Sequence, residues 1–96
     1  MRRVYSVAIG NLLPVVSDNA VKMIKKLEGF VALTPQYPHG TLLYFDTLAD
    51  ARRGRNILAG KGIVCGVNIC TFDLSDDMQQ AVFVGNEYGG EIDEEG

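Results

Sequence analysis

Apolar positions along the chain switch between strand-like alternation and helical spacing, and the switches outline a succession of short elements. "RRVYSVAIG", Arg2 to Gly10, is rich in Val, Ile and Tyr and alternates, which predicts a first strand. "NLLPVVSDN" is a loop broken by Pro14, with Ser17 or Asp18 placed to cap the next element. In "DNAVKMIKKLEG", Ala20, Met23 or Ile24, and Leu27 recur at helical spacing. Lys22, Lys25 and Lys26 fall on the opposite face, and Gly29 is the natural stop. "FVALTP" predicts a second strand ended by Pro35, "QYPHG" a turn, and "TLLYFD" a third strand. The short connection makes these two strands a hairpin.

"FDTLADARRGRNILAGKG" then combines a strand end, a helix and a glycine stop. Asp46 or Thr47 caps the helix; Leu48, Ala51, Leu58 and the stem of Arg55 form one stripe, with Ile57 beside it, and Gly60 ends it. Gly54 in mid-helix costs up to about 1 kcal/mol against Ala, which points to close packing of helix on sheet. "GIVCGVNICTFD" predicts the last strand, entered through a small hairpin around Cys65 and Gly66. The order strand–helix–strand–strand–helix–strand implies an α+β fold. The expected form is a two-layer ferredoxin-like sandwich, a four-stranded antiparallel sheet with two helices on one face. Residues 1–75 make that domain, and 76–96 form an extension expected to cover part of the sheet. In this extension "SDDMQQAVFV" leaves open a short helix capped by Ser75 or a strand crossing the sheet edge. "GNEYGGEIDEEG" is rich in Gly and acids, the composition of a disordered tail.

Length and charge narrow the classes. Ninety-six residues suit one domain that buries roughly two thirds of its unfolded surface. No apolar run approaches the roughly 20 residues of a membrane span. The N-terminal stretch lacks a small-x-small cleavage site and is broken by Gly10, Asn11 and Pro14, so it reads as mature, cytoplasmic sequence. Cys65 and Cys70 are five apart, an odd offset that puts them on opposite faces of one strand, and they read as small sheet residues in a reducing compartment. The net charge of −3 hides an asymmetry. Residues 1–72 hold nine Lys/Arg and four acids, summing to +5, whereas residues 73–96 hold eight acids and no base, summing to −8.

Two stretches resemble a known family. "LLYFDTLADARRGRNILAGKGI" is similar to the third strand, second helix and following turn of RNA-recognition-motif domains, through Phe45, Asp46, Thr47, Asp50, Ala51, Arg52 and Arg53. "VAIGNL", Val7 to Leu12, resembles the hexamer on that family's first strand. The resemblance covers roughly residues 3 to 73 and implies the same strand–helix order. It also implies a sheet face on which the family stacks bases against aromatic side chains. Here Ala8 occupies the first aromatic position, and Gly40 and Leu42 the other two. Of the aromatics, alternation directs only Tyr44 and Phe72 to the same face, beside Val4, Ser6, Leu42, Asn68 and Cys70. Stacking contributes about 1–3 kcal/mol per base, so loss of the platform removes most base-reading affinity. Val4, Ala8, Leu42, Tyr44, Cys70 and Phe72 instead make an apolar surface, larger than a monomer normally leaves bare. The expected cover is the segment "MQQAVFV", a second copy, or another protein.

Catalytic chemistry finds little footing. His39 sits in the turn "YPHG" with no nucleophile or carboxylate placed beside it. Gly60, Gly62 and Gly66 lack the Gly-Lys-Ser/Thr ending of a phosphate loop and follow a helix instead of opening one. "DLSDD" lacks the Gly and terminal Glu of a calcium loop. No catalytic residue, metal site or cofactor is therefore expected. Lys22, Lys25, Lys26, Arg52, Arg53, Arg55 and Lys61 form a candidate positive surface for sequence-independent phosphate contact. The expectation is a non-enzymatic protein-binding module, a regulator or inhibitor of the kind a phage or mobile element encodes, with a second copy as one candidate partner. The alternatives are weak nucleic-acid binding through the basic helix face and mimicry of nucleic acid by the acidic tail.

Overall fold

The structure, a computed structural model, describes residues 1–10, 18–35 and 40–87. The elements in chain order are β1 (Arg2–Ile9), α1 (Asp18–Lys25), β2 (Phe30–Pro35), β3 (Thr41–Phe45), α2 (Leu48–Gly60), β4 (Ile69–Leu74) and β5 (Ala81–Glu87). The strands form one antiparallel sheet in the order β2-β3-β1-β4-β5. The four-stranded ferredoxin-like sandwich expected from the sequence is thereby corrected: the sheet has five strands, because the chain beyond Leu74 turns back and pairs with the outer edge of β4. Apolar β-branched and aromatic residues in "AVFV" favour that pairing over the helix that Ser75 was placed to cap.

Alternation assigns the two faces of the sheet. On one, Val7, Ile9, Leu43, Phe45 and Ile69 meet Ile24 of α1 and Ala51 and Leu58 of α2, all buried. Seven of these, all but Ala51, are Val, Leu, Ile or Phe, each contributing about 1.5–3 kcal/mol on burial, and they make this the main core. The other face carries a second cluster of Val4, Tyr44 and Leu74, with Val31, Ala32, Leu42 and Phe72 packed against it.

Local chemistry sets the helix ends. Thr47, extended at φ −133° and ψ 160°, is the N-cap of α2, and its hydroxyl accepts from the Asp50 amide at 3.0 Å. Asp46, the other capping candidate, pairs with Arg2 at 3.2 Å instead. The helix runs through Gly60, and the left-handed stop is Gly62 (φ 86°). The Ile63 amide donates to the Leu58 carbonyl and the Gly62 amide to that of Ala59, the paired bonds of a Schellman ending. α1 ends at Lys25, earlier than the stop predicted at Gly29. The chain continues through turns closed by the Lys26 amide to the Met23 carbonyl and the Leu27 amide to that of Ile24, and Gly29, with φ 76°, precedes β2. Gly54 lies against β3, where an added Cβ would come within 2.6 Å of Phe45 Cζ, so the glycine is explained by close helix–sheet approach.

The segment before β4 adds an extra rung to the sheet. Cys65 bridges Ile9, the Gly10 amide donates to the Val64 carbonyl at 2.8 Å, and the Gly66 amide donates to that of Ala8 at 2.7 Å. Both cysteines are free thiols.

Candidate functional site

The strand registers put the six predicted sheet-face residues together. Val4 lies opposite Phe72, Ser6 opposite both Tyr44 and Cys70, and Ala8 opposite Leu42. Their exposure is uneven: Val4 is 0 % exposed and Tyr44 3 %, whereas Ala8 is exposed and Leu42, Cys70 and Phe72 are half-buried. Ser6, buried among them, donates its hydroxyl to the Cys70 carbonyl at 3.1 Å.

Three aromatic rings run across this face. Tyr44 and Phe72 have centroids 5.7 Å apart and planes at 69°; Phe72 and Phe83 repeat the arrangement at 5.7 Å and 73°. Each pair is edge-to-face, a contact worth about 0.5–1.5 kcal/mol beyond burial. In each pair the edge of one ring meets the face of the other. Burial pushes the Tyr44 phenol above its ordinary range, partly offset by a hydrogen bond with Thr34. Phe83 at the end of the row is 55 % exposed. Its place on this face follows from β5, which the sequence left open between helix and strand; "AVFV" was the signal.

A cavity of about 300 Å³ opens beside the rings, with Leu42, Tyr44, Phe72 and Leu74 among its floor residues and the turn from Met78 to Ala81 as its wall. Hydrogen bonds define that turn. The Met78 amide donates to the Ser75 carbonyl (2.8 Å), the Ser75 amide to the Gln80 carbonyl (2.9 Å), and the Gln80 amide to the Ser75 hydroxyl (3.0 Å). Asp77 accepts from the Ser75 hydroxyl at 2.6 Å and from the Gln79 amide at 3.0 Å, and these bonds, the hydroxyl's first, hold its carboxyl below the usual carboxylate range. Met78 is left-handed, with φ 60°, and half exposed at the cavity rim.

The seven predicted basic residues differ in exposure and pairing. Arg55 is 0 % exposed; its stem lies in the core and its Nη1 donates to the Val67 carbonyl at 2.6 Å. It is therefore removed from the predicted phosphate-contacting set, for the same reason that its stem fits the apolar stripe of α2. Arg53 is held by Asp50 at 2.8 Å and faces Glu28 at 3.6 Å. Arg52 is half-buried, and Lys22, Lys25, Lys26 and Lys61 are exposed. Between the paired strands β1 and β4 Arg3 binds Asp73 at 2.8 Å, which holds the Asp73 carboxyl below its usual range, and the chain's N-terminal ammonium meets Asp76 at 3.1 Å.

His39 lies outside the described residues, as does the tail from residue 88 onward. Among the described residues, no three His, Cys, Asp or Glu side chains gather as metal ligands, and no helix is long and apolar enough to cross a membrane. Comparison of the chain with protein-family models, curated proteins and solved structures gave no match in any of the three.

Proposed function

We propose that this chain is a non-enzymatic binding module that contacts another protein through the second sheet face and the adjoining strand β5. The observation that supports this most is the edge-to-face row Tyr44–Phe72–Phe83, sealed at Tyr44 and open at Phe83. A base-stacking platform needs ring faces turned to solvent. The exposed Phe83 ring and the neighbouring cavity, lined by Leu42, Leu74 and Met78 together with polar Thr34, Gln79 and Gln80, suit an inserted side chain of a protein partner. A regulatory or inhibitory role is part of the proposal, as is kinship with RNA-recognition-motif domains through Val7–Leu12 and Phe45–Arg53. Phosphate contact through the helices is the weaker reading, since Arg55 is buried and Arg53 is held by acids.

Photocrosslinking in the source cell tests the proposal. Benzoylphenylalanine at position 83 should yield a protein adduct that the same probe at exposed Ile57 on α2 does not. Nucleic-acid adducts at position 83, or identical adduct patterns from both positions, would contradict it.

A further inference from the structure

Strand β5 is the last in the sheet, and among the described residues nothing pairs with its outer edge. Native edges are usually guarded by Lys, Pro or inward charge. Residues 81–87, "AVFVGNE", hold no Lys, Arg or Pro. Val82, Phe83 and Val84 are 52 %, 55 % and 46 % exposed, so the strand presents apolar side chains as well as an unpaired backbone. The register shift between Thr71 and Phe72 makes Val84 the extra residue of a bulge, whose twist is a partial guard of the edge but one that comes without a repelling charge.

Charge says what can lie there. Asp76 and Asp77 precede β5, Glu87 ends it, and Glu91, Asp93, Glu94 and Glu95 come after it in the sequence, within a segment of eight acids and no base. Edge-to-edge pairing of two copies would join two chains whose residues 73–96 each sum to −8, and like charges oppose association. A strand with basic ends meets the opposite situation. We infer that the outer edge of β5 takes up, as a sixth strand, an extended apolar segment of another protein flanked by Lys or Arg. This rests on the protein-binding reading above and names the chemistry of the partner. Main-chain hydrogen bonds supply affinity, Val82, Phe83 and Val84 supply side-chain contacts, and exposed Asp76 and Asp77, in the turn that leads into β5, favour a basic flank.

The test uses the full chain, isotope-labelled, and a synthetic peptide with an alternating Val-Thr core between pairs of lysines. The peptide should bind below about 1 mM, slow amide exchange within residues 81–87, and weaken about tenfold or more between about 50 mM and 0.5 M salt. Replacement of its lysines by glutamates should abolish binding. Val84→Lys, at a solvent-exposed position, should weaken it about tenfold while the thermal melt stays cooperative, with Val82→Lys as the second variant should the first fail to fold. No binding of the lysine peptide at about 1 mM, or equal binding of the glutamate peptide, overturns the inference. A dimer by light scattering with the β5 amides already protected overturns it in favour of a second copy and leaves the protein-contact reading standing. Failure of that reading is instead signalled by nucleic-acid adducts at position 83.

Discussion

Gly54, Met78 and Arg55 each break a local rule, and each has a neighbour that accounts for it or a cost that can be measured. Helix propensity alone says that Gly54→Ala gains about 1 kcal/mol. The Phe45 ring says otherwise, because the new Cβ would sit 2.6 Å from Cζ and 2.9 Å from Cε2. The expected result is a net loss of about 1–3 kcal/mol in urea unfolding, the range for overpacking; a gain would show that the ring moves aside freely. Met78 carries the opposite imbalance. A left-handed backbone costs a side-chain-bearing residue about 1–2 kcal/mol, so Met78→Gly is expected to stabilise by about 0.5–1 kcal/mol once glycine's added chain entropy is counted. A destabilised Met78→Gly would mean that the Met78 side chain holds the cavity rim by packing. Arg55 was legible only in part: heptad-like spacing with Leu48, Ala51 and Leu58 puts its stem in the apolar stripe. Nothing in a single chain's spacing reveals that Val67, twelve residues on, offers a carbonyl to its head.

At the scale of elements, both helices and the first four strands were readable, because each is bounded by a turn residue or cap and keeps one period throughout. The ambiguity lay in choosing between neighbours of the same kind. Asp46 and Thr47 both suit a cap, and the choice depends on Arg2, which draws Asp46 away through a contact 44 residues distant. Gly60 and Gly62 both suit a stop, and only Gly62 takes the left-handed conformation. β5 was the largest gap. Its seven residues include Gly85 and a bulge, so strict alternation is lost, and its pairing partner is decided by the open edge of β4 rather than by local pattern. The candidate surface inherited that gap: Phe72 and Tyr44 were found by alternation, whereas Phe83 depended on a strand not yet assigned. Phe83→Ala is expected to cost about 0.5–1.5 kcal/mol through the lost edge-to-face contact with Phe72, leaving a cooperative fold, while removing the captured protein partner. Undiminished capture would move the contact away from this face.

For the whole molecule, charge separation couples the hairpin to the body. The Arg3–Asp73 pair and the N-terminal ammonium at Asp76 tie the acidic segment to β1. Asp73, through its Arg3 hydrogen bond, and Asp77, through the Ser75 hydroxyl, both have folded values below the ordinary one. A depressed carboxylate favours the folded state fully above the unfolded value of about 3.9, and that contribution disappears as pH falls through the lower folded value. The melting temperature should therefore drop between about pH 5 and about pH 2, and Asp73→Asn should flatten the drop relative to the unaltered chain. An unchanged slope would show that the pair is fully screened, as exposed pairs often are.

The central claim is that the second sheet face is spent on protein contact and does not read bases. Amide chemical-shift mapping of the labelled full chain against short single-stranded RNA and DNA at about 50 mM salt, where charge contacts are least screened, addresses it most directly. The account predicts no saturable shifts at Tyr44, Phe72 or Phe83. Saturable shifts at Phe72 and Phe83 would contradict it.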